Sequence, residues 1–546
     1  MMSKYRRSLW LLCLGAPALG VVCALCLAGS AVTAADNAVA AGRPPQIHPD
    51  WAGAVIPPNI APLNFLVRES GSRYLVRLRS QHGRPLEIAS RSGTIAIPLK
   101  AWRQLLDANR GGQLTFEVFV QDGKAWRRFD PLACTIAPED IDNYLAYRRI
   151  HPVHAAWRDM GIYQRDLRRF DESTILTGAY FGDGCVNCHT FCNQRADTML
   201  VSTRSRQYGN AATIVRDGTA EKVAATFGYG AWHPTGRILV YTSAKITMFQ
   251  HPAGDEIRDV IDLDSLLAYY DVDSRTVKTT PALARKDRLE TYPTWSPDGR
   301  FLYFCSAPLT WTERNVIPAD YDRIRYDLVR IAYDAQRDAW GEPETILSAR
   351  ETGQSILLPR ISPDGRWLLF TMCRYGCFPV YQQSSDLYLM DLQEKLEAAS
   401  VKFEARAGTT GGEASDLTLP TSYFKLPINS DQSESWHSWS SNSRWIAFSS
   451  KRGNGTFTRT YLSYIDPNGV VHKPLLLPQQ DPTHYDSCLW TYSVPELIAG
   501  PVPVTREKLG RVVRGARRID VQLPITTATP KAGPETAGDP YRPTRE

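Results

Sequence analysis

From residue 199 onward, short apolar runs recur at long intervals. Ile238-Leu239-Val240-Tyr241, Phe301-Leu302-Tyr303-Phe304, Trp367-Leu368-Leu369-Phe370 and Trp445-Ile446-Ala447-Phe448 each have strand length and strand composition. A polar turn precedes each one. The four turns are Trp232-His233-Pro234-Thr235-Gly236-Arg237, Trp295-Ser296-Pro297-Asp298-Gly299-Arg300, Ile361-Ser362-Pro363-Asp364-Gly365-Arg366 and Trp439-Ser440-Ser441-Asn442-Ser443-Arg444. Pro and Asp-Gly supply the dihedrals that a tight turn needs. Later in the period comes another strand ending in Asp, as in Leu387-Tyr388-Leu389-Met390-Asp391 and Tyr461-Leu462-Ser463-Tyr464-Ile465-Asp466. Strand, tight turn, strand, repeated around a ring, predicts the four-stranded blades of a β-propeller. The steps between repeats are 63, 66 and 78 residues, so loops are inserted. With an unmarked blade over 199–227, five or six blades are expected across residues 199–505.

The stretch before the repeats has a different pattern. Residues 61–137 alternate in the strand manner, with candidate strands at Leu63–Val67, Tyr74–Leu78, Thr94–Ile97 and Leu114–Phe119 and a helical turn at Ala101–Ala108. This predicts a small β-sandwich-like domain. Residues 36–60, rich in Ala, Pro and Gly, read as a linker. Residues 138–198 read as a helical connector, with helices over Asp140–Arg149 and His154–Met160. The end, 506–546, reads as a short basic segment followed by a disordered tail. The fold class expected is therefore mainly β.

Composition narrows the function classes. The chain has 546 residues, 43% hydrophobic and 10% aromatic, with a net charge of only +6. A nucleic-acid binder needs a basic stripe, and the only one is short, near Arg511–Arg518. The N-terminus carries Lys4, Arg6 and Arg7, then an apolar run to Gly29, then small residues ending at Val32-Thr33-Ala34. That is the order of an export signal, cleaved near Ala34. Left uncleaved, it would attach the protein to a membrane. Most of the chain is thus expected outside a bacterial cytoplasm, in the periplasm, where thiols can oxidise.

The sharpest chemical signal is Cys185-Val186-Asn187-Cys188-His189. Two thiols at this spacing add across the vinyl groups of a haem, and the adjacent imidazole ligates the iron. Zinc held by Cys185, Cys188, His189 and Cys192 is a minor alternative, cramped at four ligands in eight residues. A Cys185–Cys188 disulfide or plain loop packing are further alternatives. With haem c bound, His189 is the proximal ligand, and Met199, His233, His251 and His437 are the distal candidates. A Met or His there favours electron transfer to a redox partner protein, and an open site favours a small ligand.

Residues just before each turn signature should lie on the innermost strands. Glu290, Arg360, Glu434 and His437 are therefore candidates for a polar funnel, with acid–base work or mere inter-blade pairing as its roles. Asp262, Asp264, Asp271 and Asp273 form an acidic cluster that could hold calcium or simply edge a strand. No phosphate loop, nucleophile elbow or His-Glu-x-x-His motif is present, so the sequence does not decide whether the protein is an enzyme.

The repeated Ser-Pro-Asp-Gly-Arg turns resemble the TolB-like family of exported β-propellers, which implies a binding scaffold. Ile60-Ala61-Pro62-Leu63-Asn64-Phe65, Cys185–His189 and Ser435–Trp445 are similar to a subgroup of such propellers that carries the Cys-x-x-Cys-His motif. The resemblance implies a fold more than an activity. A non-enzymatic protein-interaction scaffold with structural cysteines is its main alternative to a haem protein.

Overall fold

The computed structural model describes residues 38–151, 157–251, 256–393 and 422–521. Six sheets of four or five strands form six blades. Blade 2 comprises Cys185–Cys192, Arg195–Arg204, Ala211–Arg216 and Thr219–Val223. Blade 3 comprises Gly230–Trp232, Ile238–Gln250, Arg258–Asp271 and Thr276–Lys278. Blade 4 starts at Arg288–Trp295, blade 5 at Ser355–Ile361 and blade 6 at Glu434–Trp439. Blade 1 is composite. Tyr144–Ile150, Gly161–Asp166 and Glu172–Thr177 are completed by Thr491–Ile498 from the far end of the chain, antiparallel to Tyr144–Ile150. The innermost strand of each blade, Thr491–Ile498 in blade 1, packs against the innermost strand of the next, and this ring of six closes around an axis.

The turn signatures act as braces. Ser296 Oγ donates to Asp298 Oδ1 at 2.6 Å and accepts from the Phe301 N–H at 3.0 Å, while Gly299 takes φ +71°. Ser362 and Ser440 repeat the arrangement with Asp364 and Asn442. The signature tryptophans join blades. Trp439 Nε1 donates to Arg360 O at 3.0 Å and Trp232 Nε1 to Thr190 O at 3.4 Å.

The expected helical connector over 138–198 is instead β-structure. Tyr144–Ile150 is covered on both faces, so its apolar residues do not alternate and its period misleads. The expected helix over Asp140–Arg149 is this strand, and residues 154–156 of the second expected helix lie outside the described residues. Residues 36–60 are also not a bare linker. They place strands at Val39–Ala40, Ile47–His48 and Val55–Ile56, and Trp51 is buried. The propeller consequently begins at residue 144 rather than 199, and its first wholly contiguous blade begins at Cys185.

The N-terminal domain pairs a seven-stranded sheet with a three-stranded one. Helix Leu99–Asp107 buries Trp102, Leu105 and Leu106, one face at helical spacing. Its core runs on into blades 1 and 6 through Tyr147, Trp445 and Leu497. Asn64 anchors the junction, accepting from the Ile97 N–H at 2.9 Å and donating to Gln480 O at 2.8 Å. Beyond the repeats, Arg506–Arg514 is a helix whose Leu509 and Val513 are buried. The expected signal segment 1–35 and residues 522–546 lie outside the described residues. Among the described residues, no helix is long and apolar enough to cross a membrane.

Candidate functional site

Every innermost strand except the short one of blade 3 carries the same irregularity. Its pairing with the second strand skips by an extra residue, at Val186/His189, Thr291/Thr294, Leu357/Arg360 and Ser435/Ser438, and likewise in the closing strand, where Ser493 and Glu496 flank it. Such a bulge re-aims side chains. Tyr292, Leu358, Trp436 and Val494 take φ between 47° and 54° there. A β-branched valine in that region is a strained outlier, so the ring packing holds it. The register makes His189, Thr294, Arg360, Ser438 and Glu496 equivalent positions on five blades.

These residues meet at the axis. A cavity of about 290 Å³ opens on the side of the signature turns, walled by Trp232, Trp295 and Trp439, with Arg360 and Glu496 among its lining. Arg360 also faces a smaller inner cavity of about 30 Å³, shared with Cys188, His189, Tyr229, Tyr292 and Trp436. Below it, Ile261 and Leu263 from the long blade 3 hairpin pack against Tyr292 and Trp436 and form an apolar floor.

His189 is buried, and neither ring nitrogen has a hydrogen-bond partner among the described residues. Its Nε2 stands 3.8 Å from Glu496 Oε1. The other oxygen of Glu496 accepts from the Phe191 N–H at 3.1 Å. Burial, reinforced by Arg148 and Arg360, pushes the imidazole down to about 3. It is therefore neutral, the form that donates a lone pair to a metal. Burial pushes Glu496 up to about 7 against the opposing pull of Arg360. Arg148 Nη1 donates to Asn187 Oδ1 at 2.5 Å, inside the motif itself.

The two thiols of the motif are free but face different spaces. Cys188 lines the inner cavity, whereas Cys185 lines a cleft of about 470 Å³ with Trp157, Arg204 and Lys245. Burial raises both thiols, Cys185 to about 11. Cys192 turns toward His233 O at 3.6 Å and does not join the other three. Cys185, Cys188 and His189 are the donor types that a covalent haem takes, but the finished fold turns the two thiols to different cavities. The inner cavity alone has room for about one water, so the macrocycle fits only where Arg360 and the Tyr229–Tyr292–Trp436 wall give way.

The remaining candidates scatter. Met199 is buried in the blade 1–2 core. His233 contacts Thr235 within the first signature turn and Gly299 O of the second. His251 contacts Asp259 and Tyr321 on the opposite face. His437 is buried with Nε2 3.1 Å from Leu369 O. None of these four faces the cavity that His189 lines. The polar funnel reduces to Arg360. Glu290 is buried and pairs with Arg285 at 2.7 Å, and burial pushes it up to about 7. Glu434 is bonded to Ser430, Ser450 and Arg452. The aspartates of the acidic cluster do not converge on one point, although Arg237 serves both Asp271 and Asp273. Asp264 pairs with Arg314, Asp271 with Arg237 and Asp273 with Arg216, while Asp262 is buried beside Tyr326.

Glu496 is the channel residue that the sequence reading missed. Its signal is the dipeptide Val494-Pro495, which repeats Tyr292-Pro293 and Leu358-Pro359 at the bulges of two other innermost strands.

No family model matches the chain, and no curated protein matches it. Solved structures do. TolB from Acinetobacter baumannii is 14% identical over 71% of this chain and 79% of its own, with a TM-score of 0.39. Kuenenia stuttgartiensis hydrazine synthase is 13% identical over 52% of this chain and 64% of its own, with a TM-score of 0.29. An oligogalacturonate lyase from Vibrio parahaemolyticus is 9% identical over 60% and 92%, with a TM-score of 0.30. These likenesses concern the propeller fold, which the six sheets establish in their own right.

Proposed function

We propose that the protein is an exported β-propeller that carries one covalently attached c-type haem on Cys185 and Cys188, with His189 as axial ligand. The observation that carries this reading is the His189 ring, buried on the channel wall with neither nitrogen hydrogen-bonded among the described residues. An unpaired buried donor or acceptor costs roughly 1–3 kcal/mol, and an iron at one nitrogen offsets that cost. Haem bound there supplies one-electron chemistry or a coordination position for a small molecule. His189 offers a neutral imidazole, and Glu496 and Arg360 set the charge around it. Because none of Met199, His233, His251 and His437 faces the inner cavity, binding or sensing of a small redox ligand is favoured over plain electron transfer to a periplasmic partner. The mouth cavity between Trp232, Trp295 and Trp439 is the route inward.

Cys185 is buried in the finished fold and Cys188 is half-buried beside the inner cavity, so attachment precedes closure of the ring. The test is expression with a c-type haem maturation system, followed by an absorbance spectrum in alkaline pyridine. A reduced α-band of covalent haem that vanishes in Cys185→Ala/Cys188→Ala supports the assignment. A colourless protein under full haem supply rejects it. It leaves the second reading, a TolB-like interaction scaffold with structural cysteines. The open mouth, with aromatic walls and an Arg360–Glu496 floor, favours that reading.

A further inference from the structure

A further large cavity lies outside the channel. It is a cleft of about 840 Å³ on the face away from the signature turns. Each signature turn links a first strand to a second, so a loop that follows a second strand emerges on the opposite face. Four such loops build the cleft. Blade 3 gives His251 and Glu256, blade 4 gives Tyr321, blade 5 gives Tyr375 and Tyr381, and blade 6 gives Lys451 and Asn454. These loops account for part of the 63- to 78-residue repeat spacing.

Three half-buried tyrosines line the cleft, and their rings are held from behind. Tyr375 Oη donates to Asp259 Oδ2 at 2.8 Å, and the same oxygen lies 3.2 Å from His251 Nε2. His251 Nδ1 lies 3.3 Å from Tyr321 Oη. Asp259 is itself fixed, its Oδ1 accepting from the Val260 N–H at 2.8 Å. Tyr321 also meets Phe249 edge to face at 4.9 Å and Tyr375 at 5.9 Å. Arg258 stacks over Tyr381 at 4.8 Å. Rings held in this way lose little freedom when a ligand lands on them.

The charges of the cleft cancel. Glu256 pairs with both Lys451 at 2.5 Å and Arg258 at 2.6 Å, Asp259 supplies a second carboxylate behind the tyrosines, and Asp322 is matched in number by Arg374. Formal charge therefore selects neither an anion nor a cation. The remaining polar groups are amides and hydroxyls, among them Gln383, Gln432 and Thr456. Asn454 accepts two N–H groups of its own loop on Oδ1, which leaves its amide NH₂ for a ligand. Flat aromatic faces beside neutral planar hydrogen-bonding groups match a molecule with apolar ring faces and many hydroxyls. The volume is that of a drug-sized or larger ligand.

We propose that this cleft binds a neutral oligosaccharide, with sugar faces on Tyr321, Tyr375 and Tyr381 and hydroxyls met by Gln383, Gln432 and Asn454. The proposal is independent of the haem assignment, and the Cys185→Ala/Cys188→Ala protein should bind equally well. The test is isothermal titration of the full mature chain with cellohexaose, maltohexaose, xylohexaose and chitohexaose, with hexagalacturonate as an anionic control. Saturable binding of at least one neutral series is expected. Tyr321→Ala and, separately, Gln432→Ala should each weaken it about tenfold or more. Tyr321→Phe keeps the ring and should stay within a few-fold of the parent. Unchanged circular dichroism and melting temperature show that each variant is folded, and the exposed Asn454→Ala serves if Tyr321→Ala does not fold. The proposal is overturned if none of the four neutral oligosaccharides binds, if only hexagalacturonate does, or if binding survives Gln432→Ala and Asn454→Ala undiminished.

Discussion

Asp262 offers a direct test of the burial argument. Its side chain is sealed under the channel floor, with Tyr326 Oη 3.4 Å from Oδ2 and no partner for Oδ1 among the described residues. Burial pushes its pKa from an ordinary 3.8 up to about 7, against smaller opposing pulls from Tyr326 and Cys377. A carboxyl with a raised folded pKa binds more protons folded than unfolded. Stability therefore falls as pH rises through the window between those two values. The slope approaches about 1.4 kcal/mol per pH unit, so this one group removes roughly 2 kcal/mol between pH 5 and pH 7. Asp262→Asn stays neutral throughout. Its advantage over the parent should grow by about 2–3 kcal/mol between pH 5 and pH 8. Urea unfolding of both proteins at half-unit steps from pH 5 to pH 8, without haem supply, measures this. Glu290 and Glu496 are also pushed up to about 7 by burial and contribute slopes of the same sign. The decisive quantity is therefore the difference between the two proteins. Parallel stability curves, or a variant that loses ground as pH rises, would refute a sealed, proton-retaining Asp262.

Three further outcomes follow. In Gly299→Ala the new Cβ would lie 2.3 Å from His233 Nε2 at a φ of +71°. The urea midpoint should drop by the equivalent of roughly 1–3 kcal/mol, and an unchanged midpoint contradicts the brace. Ile498 is fully buried in the closing strand, so Ile498→Ala should cost about 2–5 kcal/mol in chemical denaturation. A loss under 1 kcal/mol, a threshold set well below that range, would mean the strand is not part of the core. In haem-free protein, Cys185 is 1% exposed with its thiol pushed up to about 11. It should resist iodoacetamide at pH 8 until urea is added, and labelling at the rate of a free thiol would show that β-strand 185–192 is not enclosed.

The sequence made the repeats readable because their turns demand particular residues. Asp-Gly at Asp298-Gly299 and Asp364-Gly365 satisfies a turn and a positive φ locally, without help from the rest of the fold. Tyr144–Ile150 was not readable as a strand. Its identity depends on two neighbours, one of them supplied by Thr491–Ile498, and no local period records that pairing. The site divides the same way. The spacing of Cys185, Cys188 and His189 is a local fact. That Arg360 and Glu496 share the axis with His189 is a product of ring closure and of bulges at corresponding positions. Glu290 and Glu434 stand beside the signatures as foreseen, but their strand parity and local arginines turn them into buried ion pairs.

The closing strand sets a schedule for the chain. Arg148 and Ser493 touch in the finished blade 1 although they are 345 residues apart. At roughly 5–20 residues per second of synthesis, the first blade waits on the order of tens of seconds for its innermost strand. Until then, the edge of Tyr144–Ile150 presents unpaired backbone groups that any other strand could capture. A chain threaded through a membrane N-terminus first would therefore arrive on the far side as an open arc, and the late-emerging strand Thr491–Ile498 would convert the arc into a ring. Trimming at or before residue 498 should release far more than the residues removed, because it unlocks a blade made at the other end of the propeller.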